Sequence, residues 1–256
     1  MNGNEKNQFL SRMKDLSEKA YAKNTYAFSG FLSTGELADL KESAGSLSFI
    51  TYSVFGGYPE AERCMVAFGS PEEFGYDPTW PITVIKVSPL APKFSDELTH
   101  RDFLGALMNL GIDRKVLGDI PVKNGKAAYV ICSDSIADYI CENLNRVKHT
   151  TVVCEIASGK DELSELGPEL VSVGITVSSL RFDAVAAAVT KCSRSEMIRL
   201  FQSEKVTLNG RICTENSKSL KDGDIFSVRG YGKFKFTGSF GETKKGRVKA
   251  EVLKYC

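Results

Sequence analysis

At residues 124–125 the dipeptide Asn-Gly separates two short apolar stretches. Both residues tolerate the left-handed backbone of a two-residue turn, so the flanking stretches fold back on each other as a hairpin. That pair stands in a longer alternation. A β-branched run at 82–87 predicts a strand, and 99–110 predicts a helix closed by Gly111. After the hairpin, 135–144 predicts a second helix and 150–156 a last strand.

Strand, helix, two strands, helix, strand is the ferredoxin-like plan that RNA-recognition motifs also use. The aromatic Gly-Phe/Tyr-Gly-Phe strand of such motifs is missing. The corresponding strand reads Lys126-Ala127-Ala128-Tyr129-Val130-Ile131-Cys132, in which Tyr129 alone offers a ring for base stacking. Upstream, Phe9, Met13 and Leu16 give 5–23 a helical period, and Ser33 with Glu36 has the spacing of a capping box. Strands are expected at 48–55, stopped by Gly56-Gly57, and at 64–68; the turn-rich stretch 71–81 marks a boundary. The chain therefore reads as α+β, with an N-terminal α/β region (1–78), a ferredoxin-like (RRM-like) domain (79–157), a linker (158–176) and a C-terminal domain (177–256).

Charge separates the last of these from the rest. Net charge is only +1, yet residues 181–256 hold 16 lysines and arginines against 8 acids, leaving 17 against 24 elsewhere. A polyanionic partner is expected for the C-terminal part alone. The seven cysteines (Cys64, Cys132, Cys141, Cys154, Cys192, Cys213, Cys256) form no C-x-x-C pair and read as reduced thiols, mostly small core residues. Neither a metal site nor a cofactor is expected. With no apolar run long enough to cross a bilayer and no secretion signal, the expected location is the cytoplasm, without membrane insertion.

The C-terminal region opens with Ser178-Ser179, which read as a helix cap ahead of 180–189, with Asp183 in the first turn. A second helix starts at Ser193, which has capping-box spacing to Glu196, and buries Met197, Leu200 and Phe201. Strands at 205–208 and 225–228 follow, with a turn at Asn209-Gly210. A helix N-terminus presents free N–H groups and the positive end of a dipole to phosphate. Lys191 and Arg194 flank the start of the second helix; Arg181, Arg199, Lys205 and Arg211 extend the basic surface. Ser193, Asn209 and Gly210 would shape it. These nine residues are the expected RNA contacts, held by backbone and shape with strong salt dependence.

Arg181-Phe182-Asp183, Ser193-Arg194-Ser195, Val206-Thr207-Leu208-Asn209-Gly210 and Lys221-Asp222-Gly223-Asp224-Ile225 resemble, in order and spacing, the RNA-binding domain named after ribosomal protein S4. Where that domain usually has a glycine before the valine strand, this sequence has Glu204-Lys205. Gly56-Gly57-Tyr58-Pro59-Glu60-Ala61-Glu62-Arg63, the run from His100 to Gly111, and Gly118-Asp119-Ile120 after Arg114 resemble blocks of the bacterial YlmH family. The resemblance implies an S4-like (αL) C-terminal domain and partners among structured RNA, both rRNA and tRNA, on the large ribosomal subunit. It also implies a role in rescue or quality control of stalled translation and a link to cell division.

The competing expectation is an RNA-modifying enzyme, of pseudouridine synthase or methyltransferase type, with the S4-like domain binding substrate. No G-x-x-x-x-G-K-[ST] loop is present, and Gly238-Ser239-Phe240-Gly241 lacks the strand-to-helix setting of a cofactor loop. His100 and His149 flank predicted elements, and His100-Arg101-Asp102 lie side by side on one helix, where neighbours do not face each other. No catalytic residue is assigned.

Overall fold

A computed structural model describes residues 3–47, 51–157, 166–244 and 246–255. The chain divides into two compact units, Met1–Gly167 and Pro168–Cys256. The boundary expected near residue 78 falls inside the first unit.

In the first unit, helix α1 (Gly3–Lys23) lays Phe9, Met13 and Ala20 on a small sheet. Its strands β1 (Ala27–Phe28), β2 (Tyr52–Phe55) and β3 (Met65–Phe68) are ordered β1-β3-β2. The first residues of the strand expected at 48–55 lie outside the described residues. Helix α2 (Thr34–Leu47) begins with a reciprocal box. The Ser33 amide donates to the Glu36 carboxylate at 2.7 Å and the Glu36 amide to Ser33 Oγ at 3.3 Å. A one-turn helix, α3 (Pro71–Phe74), follows β3.

The rest of the unit is a five-stranded antiparallel sheet with two helices. Its members are β4 (Ile82–Pro89), α4 (His100–Asn109), β5 (Val122–Lys123), β6 (Ala127–Ser133), α5 (Asp134–Asn143), β7 (Arg146–Val147) and β8 (Thr150–Ile156). The strand order is β5-β6-β4-β8-β7. Asn124 (φ 54°) and Gly125 (φ 62°) are both left-handed, as a tight hairpin requires.

Both faces of this sheet are covered. Ile85, Val87, Ala128, Val130 and Cys132 pack on Phe103 and Leu107 of α4 and on Ala137 and Ile140 of α5. The alternate residues Val84, Tyr129 and Ile131 pack on Phe31, Tyr58, Met65 and Leu166. A strand buried on both sides loses its polar alternation, which is why β6 reads as almost continuously apolar.

The second unit is a six-stranded sheet carrying two helices: β9 (Leu170–Val177), α6 (Phe182–Thr190), α7 (Arg194–Gln202), β10 (Val206–Leu208), β11 (Arg211–Ile212), β12 (Ile225–Val228), β13 (Gly232–Glu242) and β14 (Val248–Tyr255). The order is β11-β10-β12-β13-β14-β9. Phe182 meets Phe201 at 4.8 Å and Phe226 at 5.1 Å between ring centroids, both edge-to-face, and Phe226 stacks on Phe234 at 5.3 Å. Such contacts add about 0.5–1.5 kcal/mol per pair to the burial itself. Two local expectations change. Residues 170–176, expected as linker, form most of β9, whose alternate residues Val173, Ile175 and Val177 turn toward the core while its backbone pairs with β14. Helix α6 has no serine cap: Arg181 holds the N-cap position, and the amides of Phe182 and Asp183 donate to the carbonyls of Lys218 (2.8 Å) and Asn216 (3.0 Å). A neighbouring loop satisfies the free N–H groups that Ser178-Ser179 were expected to take.

Candidate nucleic-acid interface

The turn between α6 and α7 positions the first group of basic residues. Lys191 ends α6 in the left-handed conformation (φ 57°) and is exposed. Ser193 caps α7, its Oγ accepting the Glu196 amide at 3.1 Å. Arg194 opens the helix, and its side chain reaches back to α6, where Asp183 is 1% exposed. The Asp183 carboxylate accepts from Arg181 Nε at 3.1 Å and Nη2 at 3.0 Å, and from Arg194 Nη2 at 3.4 and 3.5 Å. Burial pushes the pKa of this carboxyl up, but the Arg181 hydrogen bonds and the charges of both arginines outweigh it and hold the pKa below the ordinary carboxylate range. The trio therefore presents a net charge of +1 where two arginines alone would present +2. The sequence showed Asp183 as a first-turn charge and gave no sign that it would be a buried anchor for two arginines.

The other expected contacts lie elsewhere on the unit. Arg199 is exposed on α7, with the Glu196 carboxylate 4.0 Å away. Lys205 is exposed at the start of β10, after a turn in which Glu204 is left-handed (φ 56°). Asn209 (φ 50°) and Gly210 (φ 78°) turn the chain from β10 into β11, about 13 Å of extended backbone beyond Lys205. Asn209 Nδ2 donates to Asp224 at 2.9 Å and its Oδ1 accepts the Ile225 amide at 2.9 Å, so this side chain fixes the turn against β12. Arg211 pairs with Leu208 in the hairpin and is half-buried. Thus Arg181, Ser193 and Arg194 gather at one helix start, while Asn209, Gly210 and Arg211 gather at a separate turn.

In the first unit, the blocks around Arg63 and Asp119 meet. Asp119 accepts from the Tyr58 hydroxyl (2.9 Å) and from the amides of Glu62 (2.6 Å) and Arg63 (3.2 Å). The Arg63 guanidinium donates to the carbonyls of Phe31 (2.9 Å), Arg114 (3.0 Å) and Leu117 (3.0 Å). Burial raises the Asp119 carboxyl, and burial followed by the Asp119 charge raises the Tyr58 phenol. His100 is lowered by burial and by Arg114. Tyr58, Asp119 and Arg63 spend these hydrogen bonds on each other and on the backbone, and so tie residues 31, 58–63 and 114–119 together. Gly118 completes this tie: a Cβ there would stand 2.8 Å from the Phe31 ring and 2.9 Å from Ile131. Among the described residues no group of His, Cys, Asp or Glu converges to hold a metal ion, and no helix is long and apolar enough to cross a membrane.

Residues 79–161 match a family model described as "Putative RNA-binding domain in YlmH", and residues 5–73 match one described as "YlmH, N-terminal". The chain is 34% identical over 199 residues to the ribosome-associated protein quality control protein P2 of Bacillus subtilis, spanning 75% of this chain and 73% of that protein. Its fold is similar to that of the cell division protein ylmH from Streptococcus pneumoniae, with a TM-score of 0.50 and 20% identity over 64% of this chain and 98% of the other. With two family models covering its N-terminal and middle parts and a relative matched over most of its length, this α+β chain belongs to the YlmH family.

Proposed function

We propose that the chain is a non-catalytic RNA-binding factor that acts on the large ribosomal subunit, holding rRNA and tRNA during rescue or quality control of stalled translation. One observation carries this reading: Pro168–Cys256 holds 16 lysines and arginines against 9 acids, on a fold whose helix α7 opens beside exposed cations. The name of the Bacillus subtilis relative supports the ribosomal setting. In this reading residues 177–256, with β9 completing their sheet, act as an S4-like domain, and residues 79–157 as a ferredoxin-like domain braced by residues 1–78.

Lys191, Arg194, Arg199, Lys205 and Arg211 hold phosphates in this proposal, with Arg181 sharing the Asp183 carboxylate. Ser193, Asn209 and Gly210 set the shape of the surface. The engagement of Asp119 by three donors speaks against an acid–base centre in the first unit, and the burial of Asp183 between two arginines speaks against a catalytic aspartate in the second. Arg199 and Lys205 are the cleanest positions for a test, because neither touches Asp183. The double variant Arg199→Glu/Lys205→Glu should leave the large-subunit fraction in a sucrose gradient at moderate salt. Undiminished co-sedimentation would reject these contacts.

A further inference from the structure

We propose that a groove on the helical side of the first unit's five-stranded sheet holds one nucleotide of single-stranded RNA. This rests on the RNA-binding reading above and deepens it with a second site. The opposite side of that sheet cannot serve: Tyr129, the one ring that β6 could offer for stacking, is buried under Phe31, Tyr58 and Leu166. The groove lies between α4 and the segment that joins α5 to β8, with a volume of about 470 Å³. Sites for small organic ligands span roughly 300–1,000 Å³.

Arg101, Gly105 and Asn109 line it at intervals of four along α4, so they share one face of the helix. Asn143, Asn145 and Arg146 line the other bank. The chemistry is that of a nucleotide: guanidinium groups for a phosphate, side-chain amides that can both donate to and accept from a base edge, and the aliphatic flanks of Ala106 and Leu110 against its plane. The one carboxylate in the groove, Asp102, is already taken by the Thr99 hydroxyl (2.6 Å) and by Lys148 (2.9 Å). Arg101 and Arg146 form no ion pair among the described residues and are exposed, so their charge faces the groove's solvent.

Gly105 supplies the independent observation. It stands in the middle of α4, where glycine is among the poorest helix formers. Its φ is not left-handed, and a Cβ placed on it would meet nothing within 4 Å. Neither packing nor turn geometry asks for it. What the missing side chain does is keep the floor of the groove open between the arginine and the amide.

The test uses the full chain, a single-stranded RNA octamer carrying 4-thiouridine, near-ultraviolet crosslinking and peptide mapping by mass spectrometry. Crosslinks are expected on peptides containing 101–109 and 143–148. They should fall at least tenfold in Gly105→Leu, which fills the groove, and in Arg101→Glu/Arg146→Glu, while crosslinks within 181–211 persist; Gly105→Ala should fall less. Circular dichroism melts confirm that each variant folds. Crosslinks confined to 181–211, or unchanged by Gly105→Leu, would overturn the groove and leave the RNA-binding reading standing. No crosslinks to the octamer anywhere would overturn the groove, and no crosslinks to 4-thiouridine-labelled large-subunit rRNA either would overturn both.

Discussion

Replacing Arg63 with alanine should cost the first unit about 3–4 kcal/mol. The Arg63 guanidinium makes three hydrogen bonds to backbone carbonyls, those of Phe31, Arg114 and Leu117, which belong to segments far apart in sequence. A hydrogen bond with a charged donor contributes roughly 1.5–3 kcal/mol, so three would nominally give about 4.5–9 kcal/mol. Removing the arginine also relieves the cost of keeping its charge out of water, and the side chain is only half-buried, which together bring the figure down to about 3–4 kcal/mol. Trp80, the chain's single tryptophan, sits against Phe28 and Phe55 at 5.5 Å from each and reports directly on this unit. With a urea dependence near 2 kcal/mol per molar, the fluorescence midpoint should drop by about 1.5–2 M. Arg63→Lys should fall between, since one ammonium cannot span three carbonyls. A midpoint for Arg63→Ala within about 0.3 M of the natural chain would refute the idea that this side chain staples the unit.

Asp183→Asn should lower the stability of the second unit by about 1–2 kcal/mol, because the buried carboxylate loses its charge while its arginine partners can turn to water. The folded carboxyl is held below its unfolded value of about 3.9, so its contribution is present above that pH and is lost as pH falls through the folded value; the asparagine variant should lose this component of the acid slope in a denaturation series. Glu204→Gly should stabilise by about 0.5–1 kcal/mol in thermal melts, by removing a left-handed glutamate from the turn before β10, and a loss of stability would refute that account. The Asp102 carboxyl, held at about 2 by Thr99 and Lys148, should still be ionised at pH 3 in a carbon-13 titration, and Thr99→Ala should move it upward.

The elements themselves were largely legible. The hairpin at Asn124-Gly125, the box at Ser33–Glu36 and the cap at Ser193 are local chemistry, and local chemistry is readable without a partner. What was not legible depends on segments distant in sequence. Two carbonyls from residues 216–218 replace a serine cap on α6, and nothing near Ser178 announces them. Residues 170–176 become strand because β14 offers an edge, although the charged stretch before them reads as linker. The covering of Tyr129 by Phe31 and Tyr58 joins regions that the turn-rich stretch 71–81 separates in sequence. The nine candidate RNA contacts follow from charge and position in the sequence alone. Their actual surroundings differ: Asn209 is a turn fastener, and Arg181 and Arg194 share a buried acid.

The proposed ribosomal role depends on the second unit's cations holding phosphates. Binding of the purified chain to large-subunit rRNA should be measured across a range of potassium chloride concentrations, for the natural sequence and for Arg199→Glu/Lys205→Glu. Each phosphate contact contributes roughly 0.7–0.9 to the slope of log affinity against log salt, so losing two should flatten the line by about 1.4–1.8 and weaken binding throughout. Parallel, superimposed lines would contradict the claim.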